Sequence, residues 1–235
     1  NRCDFGDEIF EHPLDDSYHR ERSADWDKIT TPLLTAANWG GQGLHLRGNF
    51  EGYVRAASKN KWLEGHGLEH WTEFYTAYGI ELQKRFFGHF LKGEDTGWDK
   101  QPPVQLLVRH LDRFEKRLEE DWPIPRTIWT KFYLDPDGMR LTDAAPTSSA
   151  TLSFDALGDG LTFMSDPLAS ETEITGPSAA KLMVSSSTED ADLFVVLRVF
   201  DGSGEEVTFQ GAIDPHTPIG QGWLRASHRK LDPSL

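Results

Sequence analysis

The hydrophobic period of this chain changes once, and that change limits the folds open to it. Trp71, Phe74, Tyr75, Tyr78, Leu82, Phe86 and Phe90 recur every three or four residues, which places them on one face of a helix. The spacing predicts a single helix over 71–91, stopped by Gly93 after Lys92, with the aromatics serving as core. Upstream, "ITTPLLTAANW" reads as a buried strand, with Pro32 at its start where a missing N–H is tolerated. "NFEGYVRAAS", 49–58, has helical spacing despite Gly52, and "KWLEGHG" reads as a short strand broken by glycines. Strand, helix, strand, helix is the grammar of a parallel sheet covered by helices.

After "KGEDTGWDKQPP" the period drops to two. "VQLLVRH", "IWTKFYL", "ATLSF", "KLMVSSS", "DLFVVLRVF" and "EEVTFQGAI" are short runs separated by turn signals such as "DPDG" and "DGSG". Such a series predicts an all-β sandwich or jelly roll. The expected division is therefore an α/β part over 1–98 and a β part over 99–235. The first 29 residues, charged and broken by His-Pro and Asp-Asp, read as short helices and loops. Internal repeats are absent, and "APTSSAT" is a loop.

Charge narrows the partners. A net charge of -14 repels polyanions, which argues against nucleic acid, and the acidity itself reads as solubility. The single cysteine, Cys3, excludes an internal disulfide framework and fits a reducing, cytoplasmic compartment. No apolar stretch has membrane-spanning length and no secretory leader is evident, so no membrane association is expected. The start on a polar segment without methionine suggests a fragment of a longer polypeptide.

The chemistry concentrates near "NWGGQGLHLRGNF", 38–50, directly after the first strand. Glycines there allow a sharp turn or a close approach, and loops at the ends of parallel strands hold the sites of open α/β sheets. A serine hydrolase on such a sheet needs a nucleophile elbow, then an acid, then a histidine. No G-x-S-x-G occurs, but the segments suited to acid and histidine follow in that order, and "KWLEGHG" ends near His66. Histidine suits a general base because it exchanges protons near neutrality.

"HPLDDSYHRERSADWDKITTPLLTAANWGGQGLHLRGNFEGYVRAASKNKWLEGHGLEHW" resembles the later part of the catalytic domain of the CocE/NonD, or cocaine-esterase-like, hydrolases. These are relatives of the X-Pro dipeptidyl-peptidases. "LQKRFFGHFLKGE", "VQLLVRH" and "DWPIPRT" are similar to that family's closing helix and the start of its jelly roll. "DPLASETEITGPSAAKLMVSSSTEDADLFVVLRVFDGSGEEV" and "GWLRASHRKLDP" resemble the jelly roll itself. The resemblance implies an α/β-hydrolase domain, here its C-terminal part over 1–98. It also implies a galactose-binding-like jelly roll over 99–235 that stops early.

The activity implied is serine-type hydrolysis of a small ester, amide or peptide through an acyl-enzyme, with no cofactor. The family's catalytic histidine falls on His66. Its acid follows a tryptophan in W-x-D, and here Trp39 is followed by Gly40 and Gly41, so the acid position is a glycine. Glu64, Glu69 and Glu51 lie nearby, and the sequence leaves the choice open. Trp39, Gly41 and His45 are expected at the substrate pocket or its loop, where His45 and Arg47 either line the pocket or tie the loop down. The family's serine and oxyanion donors precede the region matched, so this chain alone is expected to be inactive. Homo-oligomer formation stays open.

Two other readings compete. "HGLEH", 66–70, fits H-x-x-E-H, which on a helix sets His66 and His70 on one Zn²⁺ with Glu69 polarising its water. The flanking Gly65 and Gly67 argue against a helix there. Alternatively, the β part is a carbohydrate- or protein-binding module using Trp98, Trp122, Trp129 or Trp223. "TEDAD", 188–192, does not have the spacing of a calcium loop.

Overall fold

Strands β1, Leu33–Asn38, and β2, Lys61–His66, run parallel, from Leu33 opposite Lys61 to Asn38 opposite His66. Parallel neighbours need a crossover, and helix α3, Leu46–Arg55, supplies it. The computed structural model describes residues 4–230, so Cys3 lies outside the described residues. Before β1 come two short helices, α1, Phe5–Glu11, and α2, Ser17–Arg22, whose first turns are capped by the carboxylates of Asp4 and Asp16.

The apolar stripe over 71–91 forms two helices, not one. Helix α4, His70–Tyr75, ends at Thr76, whose extended backbone also begins α5, Ala77–Lys92. The Thr76 hydroxyl accepts from the Gly79 N–H at 3.1 Å. Threonine favours this capping role over a helix interior, and a side chain on Gly79 would collide with the Glu73 carbonyl. The stop at Gly93 is left-handed, φ 68°, with its N–H returned to the Gly88 and His89 carbonyls.

Strand β3, Val104–Arg109, pairs parallel with β2, and β4, Phe114–Glu119, pairs antiparallel with β3. The order is β1-β2-β3-β4. "VQLLVRH", expected as the first strand of the sandwich, thus continues the parallel sheet. Its near-continuous apolar run suits a strand covered on both faces, a pattern that alternation-based reading confuses with a sandwich strand. On one face Leu63, Val104 and Leu106 pack with Tyr53 of α3 and with Trp122 and Ile124, flanked by Trp39, Phe50 and Val108. On the opposite face Trp62 meets Phe86 and Phe90 of α5 and the fully buried Trp98, at ring separations of 6.3, 5.6 and 5.4 Å.

Among the described residues from Val104 onward the regular structure is β, apart from one 3₁₀ turn at Ala226–His228. Two compact units emerge: residues up to Ile124 together with those from Ser178, and Pro125–Pro177 between them. The first unit also holds β7, Asp192–Leu197, antiparallel to β10, Gly220–Arg225, and β8, Thr208–Phe209, antiparallel to β9, Thr217–Pro218. The second unit is built on the hairpin of β5, Tyr133–Asp135, and β6, Arg140–Thr142, turning at "DPDG" as expected.

"ATLSF" and "KLMVSSS" form no ladder among the described residues. Met183 is 96% exposed, and an alternating run without a paired edge has nothing to satisfy its backbone as strand. No helix among the described residues is long and apolar enough to cross a membrane.

Candidate active site

Side chains two apart on a strand point to the same face. Glu64 and His66 therefore leave β2 together, on the side facing α5, while Leu63 and Gly65 face the apolar cluster. The Glu64 carboxylate Oε2 lies 2.6 Å from His66 Nδ1, and each side chain is only 3% exposed. The second imidazole nitrogen, Nε2, is buried and has no hydrogen-bond partner among the described residues.

A chain of donors converges on the same carboxylate. Tyr78 of α5 donates its hydroxyl to Glu64 Oε1 at 3.2 Å. The amide of Gln105, opposite Glu64 in the ladder, donates to the Tyr78 oxygen. Gln101 in turn donates its amide to Gln105 Oε1 at 3.3 Å. Burial and then the adjacent Glu64 charge raise the Tyr78 phenol above its ordinary range, so it remains a donor at neutral pH. Glu73 of α4 is also buried. Burial raises its carboxyl, with His66 opposing the rise and Glu64 adding to it.

The turn after β1 is tied to this pair through the backbone. Trp39 N–H donates to the His66 carbonyl at 2.9 Å, and Gly41 N–H donates to the Asn38 carbonyl at 3.0 Å. Asn38, opposite His66 and 2% exposed, donates its amide to the Leu68 carbonyl at 3.0 Å. Both glycines of the turn answer to close approach, and neither has positive φ. A Cβ on Gly40 would collide with the Gln210 carbonyl, and one on Gly41 with the Asn38 side-chain oxygen.

The residues singled out from sequence separate into groups. His66 and Glu64 are brought together. Trp39 belongs to the core, stacking on Phe50 at 5.5 Å and donating its indole N–H to the Leu107 carbonyl at 2.8 Å. His45 precedes α3, exposed, with its ring 4.7 Å from that of His70, and Arg47 is exposed. Of the other acids, Glu69 accepts from the Gln210 amide at 2.6 Å and Glu51 faces Arg55 at 3.8 Å.

His66 ends a strand and His70 opens α4, so the two do not share the helix face that H-x-x-E-H chemistry uses. Trp98 and Trp122 are buried, whereas Trp129 and Trp223 are 67% and 54% exposed; only the latter two present a face to solvent. Gln105 and Asn38 are not singled out by the sequence, and Tyr78 is read there only as core. The available signal was a glutamine inside the apolar run "VQLLVR" and a tyrosine hydroxyl on an otherwise apolar stripe.

Residues 96–235 match the X-Pro dipeptidyl-peptidase C-terminal non-catalytic domain. The chain belongs to that family. It is 27% identical over 240 residues to the cocaine esterase of Rhodococcus sp. (strain MB1 Bresler), an alignment covering 79% of this chain and 41% of that protein. It also superposes on a CocE/NonD family hydrolase from Staphylococcus aureus with a TM-score of 0.85 and 30% identity, covering 99% of this chain and 43% of the other. The chain thus spans about two fifths of the length of both relatives. The resemblance to CocE/NonD hydrolases drawn from the sequence holds, and the family's β-rich C-terminal domain accounts for the shift to strands after residue 96. Glu64 and His66 precede the matched domain and lie within the stretch shared with the hydrolase structure.

Proposed function

We propose that the intact protein is a serine-type hydrolase of small esters, amides or peptides, with His66 as its general base. In this reading residues 1–98 are the C-terminal part of an α/β-hydrolase domain, and residues 99–235 are an X-Pro dipeptidyl-peptidase-type jelly roll. The observation that carries the proposal is the likeness to the CocE/NonD family hydrolase, with a TM-score of 0.85 and 30% identity over 99% of this chain. Within that likeness His66 is a histidine held by a carboxylate, at 2.6 Å from Nδ1, as the ring of a general base is.

Nε2 takes the proton of a serine hydroxyl as the serine oxygen bonds to the acyl carbon. The same proton then passes to the departing alkoxide or amine, leaving an acyl-enzyme. Water repeats the sequence, giving up a proton to Nε2 as it attacks, and the serine recovers that proton when the acid leaves. The serine and the oxyanion donors belong to polypeptide outside residues 1–235, as the family resemblance implies. The turn over 39–45 forms the rim of the pocket, with Gly41 in the turn, His45 at its solvent side and Trp39 anchoring the turn to the core. The enzyme works on small molecules in a reducing, cytoplasmic setting, without nucleic acid or membrane.

His66→Ala in the intact protein tests this reading. Turnover of a p-nitrophenyl ester is expected to fall by about 10³-fold or more with KM within a few-fold. Turnover near that of the native protein would falsify the assignment.

A further inference from the structure

We infer that α4, His70–Tyr75, is a hinged cover over the His66 ring, closed in this structure and opening to admit a reacting group to Nε2. The inference rests on the hydrolase reading above and deepens it by naming what controls access to the base.

His66 Nε2 is buried and has no partner among the described residues. Helix α5 faces the Glu64–His66 pair, and Glu73 of α4 lies near enough for both charges to act on it. The two helices are held very differently. Helix α5 buries Phe86 and sets Phe86 and Phe90 against Trp62. Helix α4 has six residues, and the one it buries is an acid, Glu73. Its aromatic residues Trp71, Phe74 and Tyr75 are 46%, 51% and 72% exposed, so little apolar burial anchors it. A helix this short is not stable by itself, and a segment with few buried apolar contacts opens readily.

Both ends of α4 suit a hinge. Glu69 before it and Thr76 after it have extended backbones, and Glu69 gives the helix no side-chain cap. Such terminal residues absorb a rotation of the segment between them. Side-chain amides tie the closed segment down: Asn38 on the Leu68 carbonyl, Gln83 on the Phe74 carbonyl, both at 3.0 Å, and Gln210 on Glu69 at 2.6 Å.

Glu73 is the latch. Glu64 and His66 face it from β2 and Tyr78 from α5, while β1, also packed against α4, carries no titratable residue. Burial resists ionisation of Glu73 in place, His66 favours it, and Glu64 resists it again, with a net rise above the ordinary value. The protonated acid therefore stays under the cover and the carboxylate is drawn to water. Closure is favoured below the ordinary carboxyl pKa and weakens as pH rises through the raised one.

The experiment measures diethyl pyrocarbonate labelling of His66, amide hydrogen exchange and p-nitrophenyl ester turnover in the intact protein. The α4 amides are expected to exchange at least about tenfold faster than those at the centre of α5. Glu73→Leu gives α4 an apolar anchor, and Glu73→Gln keeps the shape without the charge. Near pH 7 each variant should slow His66 labelling and lower kcat/KM by about tenfold, because both require the open form. Labelling of the exposed His45 and exchange in α5 should not change. The Glu73→Gln effect should shrink toward about pH 5, where the native acid holds its proton.

Native labelling in both variants overturns the inference, as do α4 amides that exchange as slowly as those of α5. So does a Glu73→Gln effect independent of pH. Slowed labelling with native kcat/KM also overturns it, and if His66→Ala is then inactive the hydrolase reading stands. Native turnover in His66→Ala instead removes the reading beneath, and the cover guards no base.

Discussion

On one side of strand β2, Leu63 packs among Val104, Leu106, Tyr53, Trp122 and Ile124; on the other, Glu64 and His66 are equally hidden from water but bonded to each other, with Tyr78 bonded to Glu64. The first layer is indifferent to direction, since dispersion and the exclusion of water need only volume and contact. The second is not. A buried carboxylate is tolerable only where donors meet it, and each donor constrains the next. Burial of comparable depth therefore gives stability on one face of the sheet and a fixed hydrogen-bond geometry on the other.

The contrast is easiest to break from the apolar side. Leu63 is 1% exposed, so Leu63→Ala is expected to cost about 2–5 kcal/mol in urea unfolding through lost transfer energy and a residual cavity. It should leave the ¹⁵N signals of the His66 ring, held by Glu64 at 2.6 Å, as they are. Ring signals that changed with Leu63 would mean the two layers are not separable.

Tyr78→Phe tests the polar layer with a smaller effect. It removes one donor to Glu64 and the acceptor of the Gln105 amide, a loss of about 1–3 kcal/mol for buried groups left unsatisfied. Turnover should fall while KM holds, because a carboxylate free to rotate orients the ring less well. A stability loss without any change in kcat would reduce Tyr78 to a packing residue.

The smallest effect concerns Glu73, whose carboxyl is raised above its ordinary value of 4.5, first by burial. A group that holds its proton more tightly when folded stabilises the fold below its unfolded pKa. That contribution is lost as pH rises through the folded pKa. Glu73→Gln abolishes the loss, so the variant should gain on the native protein between about pH 4.5 and pH 7. Urea unfolding at the two ends of that window measures the sign. A variant that instead loses ground toward neutrality would place Glu73 among the charged partners of His66.

Local patterns carried much of the fold. The apolar run before Trp39, the spacing through 49–58 and "KWLEGHG" correspond to β1, α3 and β2, and Gly93 ends α5 in the left-handed conformation that glycine favours. The division at Thr76 escaped the period, because the apolar stripe runs on across it while a single side chain caps the second helix. "VQLLVRH" is a strand as its pattern predicts, but strand propensity does not name the neighbour, and β3 pairs with β2 across the whole of α4 and α5. "KLMVSSS" shows the converse: a sound pattern without a partner strand stays irregular.

The same division runs through the site. That Glu64 and His66 share a face follows from their spacing alone, since a strand repeats every two residues wherever it lies. Which of the nearby acids reaches the ring did not follow. Glu64, Glu69 and Glu51 are alike in sequence, and only the packing of Tyr78 and Gln105 against Glu64 turns that carboxylate toward Nδ1, while Gln210 and Arg55 occupy the other two. Spacing is a property of the local backbone, so the sequence determines it; partner choice is a competition among groups brought from distant elements, and that is decided only when the sheet and helices close over them.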